Sequence, residues 1–432
     1  MIKRLTLIIF LIFSLSFIGC SFNDKNTTAD ELISPSLSAE IPSADENKNA
    51  TEFTLNVLCH SYDHDKIKDI FNSLYPKATI NITGMDTMDA NAIINAVAAN
   101  SENSPDLIIY SLDYIGEFNA INAFENLLND SYSFDNIKNI FPESDINSCM
   151  SMDKSKLIAL PFTQASTVTY YRADILEELG IPSEPEELAL AMETAEGWLE
   201  IAKKLKEKNI YALQWKDAFV KLTLNSQGIF DDNMNLNIEN DKMRDALLIA
   251  NEAYNLGLIS RLYLWTDEGR NAVRNGEIAM IHLNKWGEDY LKETTPDTIG
   301  KWRVTRLPLG LYSSENTNAI SIVATSKYKT QAWKLARALI LDENNYYKSI
   351  TYDKSEFLGN QAANLLYRDI SNNLPLINKT MLDDTVSSIL LEAVNNHTDK
   401  TLDIDNFLSS IKVKITNQIG TEQDILYNYI NN

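Results

Sequence analysis

The sequence predicts an α/β fold in a chain long enough for two domains. Three observations carry this: short apolar runs alternate with amphipathic stretches, the alternation begins as βαβαβ, and it restarts near residue 167. At 432 residues there is ample chain for two separate cores.

In chain order, residues 54–59 read as a strand, and Ile67, Ile70, Phe71 and Leu74 follow at helical spacing behind the possible cap Asp65. Residues 79–83 read as a second strand, Ile93, Ile94 and Val97 mark another helix, and Leu107-Ile108-Ile109-Tyr110 is a continuous apolar strand. This alternation is the signature of a parallel sheet with helices on its faces. The pattern resumes with a strand at 167–171 and a helix capped by Thr194, whose one face carries Trp198, Ile201, Ala202 and Leu205. Strands are expected at 210–214, 278–282, 302–307 and 319–325, and from about Tyr328 onward the chain reads as mostly helical. There is no internal repeat.

The first twenty residues have another character. Lys3-Arg4 precede an uncharged apolar run over residues 5–18, which stops at Gly19-Cys20. The run is too short to span a bilayer, so it reads as a bacterial lipoprotein signal of residues 1–20, with Cys20 as the lipidated residue. The box Phe17-Ile18-Gly19-Cys20 has Phe where Leu is usual. Residues 21–52 are rich in Ser, Thr, Asn, Asp, Glu and Pro, so they should form a disordered tether. No second apolar span follows.

The chain carries a formal charge of −22, and loss of Lys3 and Arg4 with the signal takes it to −24. Without a stripe of clustered Lys and Arg it will not track a polyanion, which excludes nucleic acid as a partner. Cys59 and Cys149 are the cysteines left beside Cys20, too few for a disulfide scaffold. No Gly-rich phosphate loop or nucleophile elbow is present, and no cofactor is expected.

An ordered set of segments from Phe53 onward resembles the family 1 extracellular solute-binding proteins, the sugar-binding, maltodextrin-binding-protein-like receptors of ABC importers. The segments are Ser104-Pro105-Asp106-Leu107-Ile108-Ile109, Leu157-Ile158-Ala159-Leu160-Pro161-Phe162 and Tyr170-Tyr171-Arg172-Ala173-Asp174-Ile175-Leu176. They continue with Asn275-Gly276-Glu277-Ile278-Ala279-Met280 before Trp286, Lys301-Trp302-Arg303-Val304 before Leu307-Pro308, and Gln331-Ala332-Trp333. Two positions depart from the family pattern: Ala195 replaces a Trp, and residues 309–318 replace a Gly-Gly turn.

The resemblance implies a two-lobe α/β fold of the type II periplasmic-binding-protein kind, each lobe a sheet flanked by helices, with the ligand cleft between them. The expected lobes are residues 53–164 with 311–358, and residues 165–310 with 359–432. It also implies a monomer, a carbohydrate ligand, and a partner ABC permease with a separate ATPase. The anchor would hold it outside the membrane, on a Gram-positive surface by preference.

A saccharide presents an apolar ring face and a rim of hydroxyls, so its site needs aromatic platforms together with paired donors and acceptors. Trp198, Trp302 and Trp333 fall on apolar faces and are assigned to the core. Trp286 holds the position where relatives stack a tryptophan on sugar, and Trp215 opens a second cleft loop with Asp217. Trp265 serves equally as a contact or as a staple before Thr266. In the first lobe, residues just beyond strand ends are candidates: Tyr62 and Asp63, then Tyr110, Asp113 and Tyr114. His60 and Ser61 beside Tyr62 are candidates on the same ground. The resemblance favours Tyr110 as platform and Asp113 as hydroxyl acceptor, whereas Asp86 and Thr87, and Gln164 at the hinge, are weaker.

Other chemistries are less well supported. His60 and His64 lack the Glu of a metalloprotease motif, and no metal site is expected. Asp231, Asn233, Asn235 and Asn237 alternate like a calcium loop, but Leu236 and Lys242 stand where Gly and Glu belong. Asp113 and Asp217 could imitate a glycosidase pair, the enzymatic alternative to a non-enzymatic receptor. A binder of peptide or polyol, or a receptor linked to a sensor, is the remaining alternative.

Overall fold

The computed structural model describes residues 52–431 apart from Met88, Asn100, Gln164 and Asn316. The expected signal, Cys20, Gln164 and all of the tether but Glu52 lie outside the described residues.

The first sheet contains β1 (Thr54–His60), β2 (Thr79–Met85), β3 (Leu107–Ser111), β4 (Leu160–Pro161) and β8 (Asn318–Ile322), in the order β2-β1-β3-β8-β4. β1 pairs in parallel with β2 and β3, whereas β8 is antiparallel to β3 and β4. Parallel neighbours require a crossover, and α1 (His64–Leu74) and α2 (Ala90–Ala98) supply it, burying Ile67, Phe71, Ile93 and Val97. Asp63, rather than Asp65, caps α1: its carboxylate accepts from the backbone N–H of Asp65 at 2.9 Å and of Lys66 at 3.2 Å. The helix begins before its first apolar residue, so periodicity placed the cap two residues late.

The second sheet has the order β6-β5-β7, from β5 (Thr167–Arg172), β6 (Met280–Asn284) and β7 (Trp302–Thr305), and is antiparallel. Successive side chains of β5 point to opposite faces. Tyr171 therefore joins one core and Val168 and Tyr170 the other. The first core is filled by α4 (Ala173–Glu178), α5 (Pro185–Ala191), α6 (Ala195–Lys206), α7 (Ala218–Gln227), α8 (Asp241–Asn255), α13 (Asp383–Asn396) and α14 (Ile404–Asn431). The second is covered by α9 (Asp267–Arg274), α10 (Gly287–Thr294) and α12 (Ala363–Asn372). Trp198 and Trp302 are fully buried and Trp333 nearly so. Each such aromatic contributes about 1.5–3 kcal/mol by leaving water.

Residues 210–214 were expected as a strand but form only isolated bridges, Tyr211 with Ile278 and Leu213 with Ile259. Tyr211 bonds toward Glu277 and Ala279, whereas Leu213 and Gln214 accept from Ser260 and Arg261, so no single neighbour receives a continuous ladder. β6 begins and ends two residues later than expected, which places Lys285 and Trp286 immediately beyond its last residue.

Three connections join the sheets. Residues 162–166 lead from β4 to β5, and residues 306–317 lead from β7 to β8. After α11 (Lys329–Ser349), packed on α1 and β8, residues 350–362 lead to α12 against β5. In the second connection, where the family pattern has Gly-Gly, Leu309 adopts φ 59° and Gly310 φ 58°. A left-handed leucine costs about 1–2 kcal/mol. It is held by full burial, by Leu309 N–H donating to Met192 O at 2.9 Å, and by Lys242 donating to its carbonyl.

Candidate functional site

The carboxyl end of β3 and the first two connections, residues 162–166 and 306–317, meet at a cleft between the sheets. There the chain leaves β3 through a short 3-10 turn, Leu112–Glu117, and Ser111 Oγ accepts from Asp113 N–H at 3.3 Å. A cavity opens beside this turn, bounded by α3 (Glu143–Ser148), both connections, Asn225 of α7 and the linker between α12 and α13. Its polar wall is made of Ser144, Thr163, Ser166, Ser314, Thr317 and Ser371. A second cavity, against Ile340, Asn344 and Tyr347 of α11, shares Asp145, Thr163 and Ser371 with the first. A third shares Tyr347 with the second and carries Lys285 and Trp286 at the end of β6. The three adjoin in a row through these shared residues.

Asp113 lines the first cavity. Its Oδ1 is 2.6 Å from Lys379 Nζ and its Oδ2 accepts from Ser111 Oγ at 3.1 Å. The linker carrying Lys379 lies hard against the turn: a Cβ on Gly116 would come within 2.6 Å of the Thr380 backbone, so only glycine fits there. Lys379 O also accepts from Asn119 Nδ2 at 2.7 Å.

In the third cavity, Lys285 Nζ sits 4.0 Å from the ring centre of Tyr347 and 5.8 Å from that of Tyr367. Burial pushes its ammonium down to about 8, against the opposing pull of Glu343, Glu288 and Asp289. Across from it, Glu343 is buried and accepts from Tyr62 Oη at 2.5 Å and Lys66 Nζ at 2.6 Å. Burial and that carboxylate raise the Tyr62 phenol, which stays protonated.

Trp286 is 41 % exposed and lines the third cavity, with Trp265 tilted 5.5 Å away. Trp265 packs edge-on against Tyr290 at 4.8 Å. Trp215 is also exposed, 6.5 Å from the Tyr263 ring. Other expected residues are engaged elsewhere. Tyr110, expected as a platform, is fully buried: its ring packs with Phe118 and Phe124, and its hydroxyl pairs with Ser321 Oγ at 3.0 Å. The central strand β3 is covered on both faces, so its aromatic points into the core. Asp63 is spent on the α1 cap, and Asp217 accepts from Asn395 Nδ2 at 2.7 Å at the start of α7. Tyr114 is partly exposed on the 3-10 turn and is not among the cavity-lining residues.

Sequence reasoning missed Asp145, Lys285, Glu343, Tyr347 and Lys379. Lys285 precedes Trp286 and was open to notice; the others belong to a short helix, a long helix and an irregular linker that carry no motif. Asp231, by contrast, closes an ordinary Asx turn on the N–H groups of Asn233 and Asn235 at 2.9 and 2.8 Å. Cys59 and Cys149 are buried free thiols. Among the described residues no helix is long and apolar enough to cross a membrane.

Residues 66–354 match the family described as bacterial extracellular solute-binding protein. A lactose-binding protein of Rhizobium radiobacter is 23% identical over 213 residues, 46% of this chain and 49% of that protein. The match thus spans about half the length of that relative. Among solved structures, an extracellular solute-binding protein of family 1 superposes with a TM-score of 0.70 at 16% identity, over 87% of this chain and 100% of the other. The sugar-binding protein MalE of Xanthomonas citri gives 0.70 at 15%, over 86% and 98%. The galacto-N-biose-/lacto-N-biose I-binding protein of Bifidobacterium longum gives 0.66 at 15%, over 85% and 97%. All share the two-lobe fold, and the matched family and these neighbours are binding proteins rather than enzymes.

Proposed function

Because the chain belongs to the bacterial extracellular solute-binding proteins and so works outside the cytoplasm, we propose that it is the receptor of an ABC importer and captures a carbohydrate between its lobes. The observation that carries this reading is the row of cleft cavities, in which hydroxyl side chains and Asp113 lie at one end and the exposed ring of Trp286 at the other. A pyranose has both surfaces to match: an apolar face for the ring and hydroxyls for the polar wall. Lactose and other saccharides named for the relatives are the first ligands to try. Exposed Trp215 and Trp265 extend the aromatic surface, which suits an oligosaccharide.

In this reading the lobes are residues 53–164 with 311–358, and residues 165–310 with 359–432. Each lobe holds part of the site, so the solute favours the closed state by its extra affinity for it. Trp286, Trp215 and Asp113 are the proposed contacts, Tyr62 and Tyr114 lesser ones, and Gln164 a hinge contact outside the described residues. Tyr110 is excluded by its burial. Asp63 and Asp217 serve structure. The protein acts as a monomer without catalysing a reaction, tethered through lipid on Cys20 and residues 21–52 to a Gram-positive membrane, beside separate permease and ATPase subunits.

Titration of tryptophan fluorescence against a panel of saccharides, peptides and polyols tests the reading. Saturable quenching or enhancement by a saccharide, absent in Trp286→Ala, is the expected result. A response to peptides alone would overturn it.

A further inference from the structure

The cleft contains a carboxyl group without a hydrogen-bond or ion-pair partner among the described residues. Asp145 stands on α3 at the junction of the first and second cavities and lines both. Among the described residues it makes no hydrogen bond and no ion pair, and the hydroxyl of its neighbour Ser144 is buried without a partner as well. Two adjacent polar side chains therefore lack partners among the described residues where the first and second cavities adjoin.

We propose that Asp145 is a specificity-determining residue of the cleft, its carboxylate accepting a hydrogen bond from a donor that the solute brings, either a saccharide hydroxyl or a protonated amino group. This rests on the saccharide reading above and names what one part of the site demands of the ligand. Asp145 is partly buried, and a carboxylate drawn further out of water as a solute fills the cleft loses hydration that a seated donor restores.

The groups around Asp145 leave it to the solute. Asp113 and Lys379, across the first cavity, are paired with each other at 2.6 Å. Behind it, the Cys149 thiol is fully buried and held well above its ordinary range. From α11, Tyr347 faces the second cavity as a phenol. Burial alone pushes the Asp145 carboxyl up to about 7. A donor stabilises the ionised form, so the solute should expel a proton as it binds near neutral pH. The net charge of −22 favours approach of a cation over an anion.

The test is isothermal titration calorimetry of the full chain with lactose and with its free-amine counterpart lactosamine, in buffers of different ionisation enthalpy. At pH 7, binding should release about half a proton, with the release fading toward pH 9. Asp145→Asn should abolish the release and weaken binding about 10-fold while keeping the fold, since it removes a buried ionisable group. Lactosamine binding about 10-fold or more tighter than lactose assigns the donor to an amine, and equal affinity assigns it to a hydroxyl. Binding with no proton release, with uptake, or with release that persists in Asp145→Asn overturns the proposal alone. Failure of every saccharide in the panel to bind overturns the saccharide reading and this proposal with it.

Discussion

Lys379 Nζ lies 2.6 Å from Asp113 Oδ1, joining the linker between α12 and α13 to the turn that follows β3. A carboxylate that lines the first cavity is thus already charge-paired by a residue 266 positions away in sequence. A solute hydroxyl reaching Asp113 meets an acceptor held in place by an ammonium and by Ser111.

Both partners of that pair are about one-third exposed, so water screens them and the pair adds little to folding. Lys379→Met should cost less than about 1 kcal/mol in urea unfolding. Its larger effect should fall on the solute, with affinity changed several-fold as Asp113 loses its anchor. A stability loss of several kcal/mol with unaltered binding would assign the pair a purely structural role.

Trp286 is exposed at the cavity edge, its ring centre 5.5 Å from that of Trp265. Trp286→Ala should leave the circular dichroism spectrum and Tm nearly unchanged while weakening saccharide binding about 10-fold, equivalent to about 1.4 kcal/mol. Undiminished affinity would remove it from the site.

Lys285 sets up a pH dependence with a definite sign. Its ammonium titrates near 8 in the folded protein, below the ordinary 10.5 it recovers on unfolding. Between those values the unfolded chain holds more protons, so stability rises with pH across this window. Below about 8 the cost of burying the charge is fully present, offset in part by the Tyr347 ring face. Lys285→Met should therefore have the higher Tm at pH 7, and the difference should shrink toward pH 10. An advantage that grows with pH would contradict the assigned shift.

The proposed lipid anchor carries a separate prediction. Cys20→Ala should leave solute affinity intact in the purified protein but reduce uptake by cells, because tethering raises the receptor's effective concentration at the permease. Unchanged uptake would show the anchor to be dispensable.

Periodicity and burial were legible together. Ile67 and Phe71 on α1, Trp198 on α6 and the apolar run of β3 announced their core positions, because burial repeats with the period of the element that carries it. Tyr110 shows the limit of the same reasoning. Its place at the end of β3 suggested a ligand platform, but its ring is packed against Phe118 and Phe124 in the core and its hydroxyl is bonded to Ser321.

The sequence by itself determined the α/β class and the pairing of short apolar strands with amphipathic helices. Each of these depends on residues close in sequence or on composition alone. Only the tertiary structure decided that Asp113 meets Lys379, that Lys285 lies near the rings of Tyr347 and Tyr367, and that Asp145 lines the cleft without a partner among the described residues. These depend on where connections and linkers cross between two sheets, and hydrogen bonds and burial act through space, so no local pattern in the chain encodes which distant residues they join.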